Sequence, residues 1–355
     1  MGIGNLDLEN RLFLAPMAEI TDSPFRRIAR ECGAGLVFTQ MVSALGVVEG
    51  DFNTLRYLVF DRAEKPIGVQ ILGNDPSIIG EAVKEISRYK PDLIDLNCGC
   101  PVDKVTSCNM GAALLNDPKR IGKIVDSMAK NSNGIPISVK IRLGYDDRNI
   151  DILDIVRAVE NNGASFITVH ARTKKQRYDS EANWEWIRKI MEFTKLKVIG
   201  NGSLFTPQDV KKMIDTTGCY SAMIARGALG NPFIFERYNK LSAEGFDPGH
   251  PDVDTTAEVL KKHLKLLEYE YGPVNALDKG KKQILWYFRF FPELESLLKN
   301  VFGILAYSDL YEIADEHVLL IKKANIENFT NTEIDFRFRK KVLYWLETDE
   351  FEALM

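Results

Sequence analysis

Two cysteines lie close together in the segment Asn97–Pro101, directly after an apolar run, and Cys108 lies eight residues after Cys100. A zinc site is disfavoured, because no histidine stands at ligand spacing and no second cysteine pair follows. A disulfide is disfavoured too, because two cysteines separated by one residue bridge poorly. The pattern favours a single reactive thiol. We assign it to Cys100, as nucleophile or proton donor, and interpret Cys98 as a packing residue.

Lys140 and His170 are ionisable residues inside otherwise apolar runs. Burying such a group is costly unless a partner is present, so the sequence predicts a functional role for Lys140. Small or polar residues end the other runs as well, which is common where loops begin. Those residues include Pro16, Met17, Ala18, Gln70, Asn97, Arg142 and Arg172.

The segments Asn201-Gly202-Ser203 and Ala225-Arg226-Gly227 follow the last two apolar runs. Small residues allow close approach to backbone N–H groups, and Arg226 adds a charge, so the pair predicts a phosphate site. An Asn-Gly pair also suits a simple turn. A phosphate at the ends of these runs, with Lys140 near the end of another, suits flavin mononucleotide (FMN), whose reduced ring Lys140 would stabilise.

Eight short apolar runs position these residues, and most lack polar alternation. Such runs are typical of strands buried on both faces. Helical patterns lie between many of them, several opened by a proline after Asp or Thr. The alternation predicts an α/β fold, a parallel (β/α)8 TIM barrel over residues 1–244, with its site at the C-terminal ends of the strands. The runs are 12–18, 35–40, 66–72, 92–98, 136–143, 165–171, 196–202 and 221–227.

The pattern changes after a Gly/Pro/Asp-rich break at 245–254. Helical periodicity without strand signals follows at 255–271, 277–291 and 293–305. The sequence therefore predicts a smaller all-helical C-terminal domain over residues 245–325. The remaining tail, 326–355, has one amphipathic stretch at 336–346.

Composition excludes several classes of protein. The 355 residues carry a formal net charge of −4, which excludes a globally basic nucleic-acid coat and leaves only local basic patches for such contacts. Five cysteines do not make a disulfide framework. The first residues lack a signal-peptide pattern, and the longest uncharged run, 32–48, is short for a membrane span. We expect a cytoplasmic protein.

Two local basic clusters stand out. Four basic residues fall within six positions after the sixth apolar run: Arg172, Lys174, Lys175 and Arg177. A second group in the helical domain, including Lys281 and Lys282, lies beside the aromatic Trp286. Basic groups near aromatics suit phosphate contact and base stacking in RNA. A solvated charged helix face is the alternative for the second cluster.

Motifs distributed in order over residues 5–240 resemble the tRNA-dihydrouridine synthase family of the bacterial, FMN-dependent type. The N-x-G-C-P motif with the downstream G-A-A-L-L is specific to that family, and KKQILWY (281–287) resembles its helical domain more loosely. The other matching segments are APMAEITDSPFR (15–26), QILG (70–73), DLNCGCPVDKV (95–105), VKIRLG (139–144), VHARTKKQRY (169–178) and ARGALGNPFIF (225–235).

The resemblance implies an FMN-bound barrel and a helical tRNA-binding domain that together reduce the C5–C6 double bond of particular uridines in tRNA, with NADPH (or NADH) as electron donor. It implies that Cys100 is the proton donor. The candidates for binding the tRNA substrate are Asn97, Arg172 and the two basic clusters with Trp286. The implied FMN-binding residues are Pro16, Met17, Ala18, Gln70, Lys140, His170, Asn201, Gly202, Ser203, Ala225 and Arg226.

Several positions depart from the family's pattern. Glu19 and Ala225 stand where the family commonly has Gly, and Ser203 stands in place of Asp. Lys281 and Gln283 replace a usual Arg and His.

The sequence thus predicts a monomeric flavoenzyme that binds tRNA, and neither DNA, a membrane nor a metal. One alternative is an FMN barrel that reduces or dehydrogenates a small pyrimidine or enone, which needs neither the basic loop nor the helical domain. The other is a tRNA-binding protein with a relic barrel, against which the set Cys100, Lys140 and Arg226 argues.

Overall fold

The computed structural model describes residues 2–3, 6–148, 152–178 and 180–323. Contacts divide the chain into two units, with the division after Arg226. The sequence places the division after residue 244 instead. The segment after Arg226 packs within the second unit: a Cβ at Gly230 would lie 2.1 Å from the carbonyl carbon of Trp286.

Eight parallel strands form the barrel in the first unit, and each coincides with one of the predicted apolar runs. Their neighbour order is β1-β8-β7-β6-β5-β4-β3-β2. The bounds are β1 Leu12–Leu14, β2 Val37–Phe38, β3 Ile67–Leu72, β4 Leu93–Cys98, β5 Ile137–Arg142, β6 Phe166–His170, β7 Lys197–Asn201 and β8 Ser221–Ile224.

The barrel closes between its first two strands. Phe13 bridges Leu36 in parallel register. The Leu14 N–H donates to the Leu36 carbonyl at 2.9 Å, and the Gly35 N–H donates to the Leu12 carbonyl at 2.7 Å. Closure removes the exposed strand edges that an open sheet would leave. The (β/α)8 prediction is confirmed.

Apolar side chains fill the interior of the barrel away from the mouth. Phe13, Phe38, Phe166 and Met223 are buried together there. Phe13 and Phe166 meet edge to face with ring centroids 6.2 Å apart. Because apolar side chains pack this part of the interior, the chemistry of the site is confined to the C-terminal ends of the strands.

Helices separate the strands of the first unit. Where a proline opens a helix, the residue before it is the N-cap: Asp75, Asp117 and Thr206 each accept a backbone N–H with the side chain. The bounds are α1 Ser23–Glu31, α2 Ala44–Val48, α3 Phe52–Leu55, α4 Pro76–Ser87, α5 Asp103–Thr106, α6 Pro118–Asn131, α7 Ile152–Asn161, α8 Glu185–Phe193 and α9 Pro207–Thr217.

Short elements outside the barrel path complete the first unit. Gly2–Ile3 pairs antiparallel with Leu6–Asp7, and Val42–Ser43 adds a short parallel strand beside β3. Short 3-10 helices occupy Arg56–Leu58, Arg62–Glu64, Gly111–Asn116 and Arg226–Ala228, the last running into the second unit.

The described part of the second unit is helical, as predicted. The long α11 bends at Gly272, which has non-helical φ and ψ and is followed by Pro273, so its two halves match the first two predicted helices. The amphipathic stretch predicted at 336–346 lies outside the described residues. The bounds are α10 Phe233–Glu244, α11 Val253–Phe288, α12 Leu294–Phe302 and α13 Asp309–Lys323.

Candidate active site at the carboxyl end of the barrel

The loop after β4 holds Cys100 at the barrel mouth. The Asn97 Oδ1 accepts the backbone N–H groups of Gly99 and Cys100 at 3.0 and 2.9 Å. From the other side, the Ala112 N–H donates to the Cys100 carbonyl at 2.9 Å. Gly111 has φ +59°, and a Cβ there would lie 2.8 Å from the same carbonyl oxygen. The G-A-A-L-L segment therefore supports the cysteine loop, and only glycine fits its first position.

The two cysteines of this loop have different surroundings. Cys100 is partly buried, and burial raises the pKa of its thiol although Arg142 and Lys140 act in the opposite direction. Cys98 is wholly buried, and burial followed by the charge of Asp95 raises its pKa well above the ordinary value. Both remain thiols at neutral pH, and of the two Cys100 is the more accessible proton donor.

A buried carboxylate that sequence reasoning missed lies beneath this loop. Asp95 accepts hydrogen bonds from the Ser138 hydroxyl at 2.5 Å and from the Gln70 Nε2 at 2.7 Å. Burial raises its pKa to about 6, against the lowering effect of those two donors and of Lys140. Asp95 interrupts an apolar strand just as Lys140 does, so the argument made for Lys140 could have found it.

Lys140 lies on β5, in register with Asn97 of β4 and Thr168 of β6. Burial, and then the charge of Arg142, lower the pKa of its ammonium to about 8, while Asp95 and Cys100 act to raise it. Unfavourable desolvation thus outweighs the attraction between Lys140 and Asp95.

His170 lies at the end of β6 as a neutral acceptor. Burial, and then four neighbouring cations led by Arg142, lower its pKa well below 6.5. Its Nε2 lies 3.0 Å from the Arg172 Nη1, which can only donate, so the Nδ1 carries the proton. Arg172 also donates to the Ser203 hydroxyl at 2.9 Å.

Three guanidinium groups converge around Tyr178. Arg142 donates to its hydroxyl at 3.3 Å, and Arg226 donates to its carbonyl at 3.0 Å and stacks over its ring at 4.9 Å. Burial, and then the charges of Arg226 and Arg142, lower the pKa of Arg172 to about 10. Cations held this close together favour binding of an anion between them.

The loop after β1 contains the three residues predicted to contact FMN, Pro16, Met17 and Ala18, and all three are partly buried. The next residue, Glu19, adopts φ +58° and donates its N–H to the Gln40 Oε1 at 2.6 Å. Glycine adopts this left-handed conformation without strain, whereas a glutamate does so at a cost.

The ends of β7 and β8 also lie at the mouth. The Asn201 side chain donates to the Met223 carbonyl at 2.7 Å, which ties the two strands together. Gly202 and Ser203 follow with φ +116° and +56°. Ala225 is partly buried beside Arg226.

The predicted basic loop after β6 is only partly available to a nucleic acid. Arg172 is 1% exposed and is held by His170 and Ser203. Lys174 pairs with Asp103 at 2.9 Å, and Lys175 pairs with Asp146 at 3.1 Å. Arg177 is exposed. Each pair has one largely exposed member, so it contributes little energy, and a phosphate could displace the acid.

In the second unit, Lys281 and Lys282 are partly exposed on α11. Trp286 is 2% exposed, so its ring packs inside the unit and offers no face to a base, contrary to the stacking role that the sequence suggests. Gln283 is buried as well.

Arg142 and Tyr178 complete the set that sequence reasoning did not assign to the site. Arg142 ends an apolar strand, and its Nε and Nη1 donate to the carbonyls of Gly99 and Thr173 at 2.9 and 2.8 Å. An arginine at the end of an apolar run was the available signal in the sequence, and the structure shows that its side chain is buried. Tyr178 lies eight residues beyond its strand and gave no such signal.

The described ranges contain no group of three His, Cys, Asp or Glu side chains arranged to hold a metal ion. Within them, no helix is both long and apolar enough to span a bilayer.

Known proteins resemble this chain in sequence and in fold. A "probable tRNA-dihydrouridine synthase" of Treponema pallidum is 34% identical over 81% of this chain and 87% of its own length, and "tRNA-dihydrouridine synthase B" of Pasteurella multocida is 33% identical over 81% and 86%. A histamine dehydrogenase from Rhizobium sp. 4-9 shares the fold, with a TM-score of 0.55 and 15% identity over 75% of this chain and half of its own. The sequence profile described as "Dihydrouridine synthase (Dus)" matches residues 13–308. The chain therefore belongs to the dihydrouridine synthase family.

Proposed function

We propose that this enzyme reduces the C5–C6 double bond of uridines in tRNA, with FMN as its bound cofactor and NADPH as the source of electrons. Membership of the dihydrouridine synthase family makes the chain an oxidoreductase of that class. One observation carries the proposal. A partly buried, protonated Cys100 lies at a barrel mouth where Lys140 and three arginines concentrate positive charge.

The residues present suit an FMN molecule. Arg226 and the positive-φ residues Gly202 and Ser203 would hold its phosphate, and the charge of Arg172 would add to the attraction. Lys140, whose pKa of about 8 keeps its ammonium charged at neutral pH, would stabilise a ring that gains negative charge. When bound, FMN supplies the hydride for uridine C6. The chain's contacts to it would come from Pro16, Met17, Ala18, Gln70, Lys140, His170, Asn201, Gly202, Ser203, Ala225 and Arg226.

The Cys100 thiol would deliver the proton to uridine C5. Its raised pKa keeps the hydrogen on Sγ at neutral pH, which a proton donor requires. The backbone contacts from Asn97 and Ala112 fix where that thiol stands. Arg142, which donates to the Gly99 carbonyl of the same loop, would add its positive charge to this side of the site.

The substrate would be a uridine pulled from the tRNA fold, because a stacked base cannot enter a barrel mouth. The mouth lysines Lys174 and Lys175 and the exposed Arg177 would contact tRNA phosphates. Lys281 and Lys282 of the helical unit would add a second tRNA-binding surface, and the enzyme would act in the cytoplasm as a monomer.

The test is dihydrouridine formed per tRNA in a single turnover with pre-reduced enzyme, using unmodified tRNA. Cys100→Ala should lower the yield by ~10²–10⁴-fold, the usual contribution of a placed acid, while flavin absorbance and tRNA binding persist. Cys98→Ala is the matched control and should act nearly as the wild type.

Normal turnover in Cys100→Ala would show that the proton comes from elsewhere. Wild-type protein that lacks flavin absorbance, or that reduces free pyrimidines but not tRNA, would refute the proposal and favour a small-molecule reductase.

A further inference from the structure

A continuous chain of hydrogen bonds runs through the barrel interior to the cysteine loop. It starts at Asp95, whose Oδ2 accepts from the Gln70 Nε2 at 2.7 Å. The Gln70 Oε1 then accepts from the Asn97 Nδ2 at 2.8 Å. The Asn97 Oδ1 accepts the N–H groups of Gly99 and Cys100. Asp95, Gln70 and Asn97 are each at most 8% exposed, so water competes little for these bonds.

The direction of every bond in this chain follows from its first member. An ionised carboxylate only accepts, and the second Asp95 oxygen is already engaged by the Ser138 hydroxyl. Gln70 must therefore turn its amide nitrogen to Asp95 and its amide oxygen to Asn97. Asn97 in turn must donate to Gln70, which leaves its oxygen free for the two backbone N–H groups.

Turning over the Gln70 amide would disrupt every hydrogen bond that follows it towards the cysteine loop. If Gln70 turned over, its nitrogen would face the Asn97 nitrogen, donor against donor. Turning Asn97 to relieve that conflict would set its nitrogen against the N–H groups of Gly99 and Cys100. A buried donor left without an acceptor is strongly disfavoured, so the loop would have to move.

We propose that Asp95 is a positioning residue, which sets the orientation of the Gln70 and Asn97 amides and thereby fixes the place of the Cys100 thiol. It touches neither the thiol nor a substrate and acts only through these two side chains. The catalytic importance of this placement rests on the proposed function, whereas the placement itself does not.

Hydrogen exchange of the peptide spanning residues 97–101 reports the placement directly, without FMN turnover or tRNA. Asp95→Ala should raise exchange at the Gly99 and Cys100 amides by about tenfold or more, since their acceptor is no longer oriented. Asp95→Asn should largely reverse that rise, because its Oδ1 can accept from Gln70 while its Nδ2 donates to Ser138. Ser138→Ala is the matched control: it removes the other bond to Asp95 but leaves the chain intact, and should leave this peptide unchanged.

Single-turnover dihydrouridine formation should follow the same order. Asp95→Ala should be slowed about 10- to 100-fold, as misplacement of a catalytic group costs, and Asp95→Asn should recover most of that loss. If Asp95→Ala does not fold, Gln70→Met breaks the chain at its second link with Asp95 intact and should raise exchange in the same peptide.

Unchanged exchange in the variant that breaks the chain would overturn the inference. So would a rise in Asp95→Asn equal to that in Asp95→Ala, because charge rather than orientation would then matter, and so would an equal rise in Ser138→Ala. A wild-type enzyme without dihydrouridine activity would refute the proposed function alone, since the exchange measurement would still decide the role of Asp95.

Discussion

Lys140→Met should stabilise the folded protein at neutral pH. The wild-type ammonium is held where burial, and then Arg142, lower its pKa from 10.5 to about 8. At about 1.36 kcal/mol for each pH unit, that lowering costs the folded state about 3 kcal/mol at pH 7. Methionine has a similar length and no charge, so it escapes the cost.

The pH dependence identifies the cause. Below pH 8 the ammonium is charged in both the folded and the unfolded chain, and the folded state bears the full cost. Between about pH 8 and 10.5 the folded chain releases the proton first, so its stability rises with pH. Relative to Lys140→Met, the free energy of unfolding of the wild type should rise by about 2 kcal/mol between pH 7 and pH 9.5.

The assay is urea unfolding of flavin-free wild type and Lys140→Met at both pH values. Comparing the pH effect within each protein cancels the change in packing that the substitution brings. Lys119→Met is the matched control, because this lysine of α6 is exposed and its substitution should change stability equally at both pH values. The reasoning would be refuted if the free energies of unfolding of wild type and Lys140→Met differed by the same amount at both pH values.

Three further predictions concern other parts of the molecule. Arg226→Ala removes a charge-assisted contact proposed for the FMN phosphate and should weaken FMN binding roughly 10- to 100-fold; unchanged affinity, measured by fluorescence titration, would place the phosphate elsewhere. Neutralising Lys281 and Lys282 together should weaken tRNA binding and leave NADPH oxidation unaffected. It should also make the slope of log K for tRNA against log salt concentration shallower by roughly two units or a little less, measured by filter binding at several salt concentrations. Burial lowers the pKa of His317 to about 4, so the neutral form is favoured on folding and this stability is lost as the pH falls from about 6.5 towards 4. Between pH 7.5 and 5 the wild type should lose on the order of 1–2 kcal/mol relative to His317→Leu in urea unfolding; equal losses in both proteins would contradict this.

Local sequence determined the elements of this protein. Each of the eight apolar runs contains a barrel strand, because a strand buried on both faces needs a continuous apolar stretch whatever its neighbours are. The helix starts at Pro76, Pro118 and Pro207 were also readable, since the capping residue and the proline are adjacent in the chain. The functional role of Lys140 was also predicted from local sequence, because this ionisable residue lies within an apolar run.

Tertiary structure alone decided how the side chains of the site use their polar atoms. Whether a lysine is free or paired depends on an acid distant in sequence, as Lys174 and Asp103 show, which are 71 positions apart. The close approach of Gly230 to the Trp286 carbonyl likewise joins residues that are far apart in the sequence. Asp95 controls Cys100 only because strands β3 and β4 lie side by side in register and set Gln70 beside it. Periodicity and capping report interactions within a few residues, whereas hydrogen-bond direction and charge pairing are set by neighbours that only folding brings together.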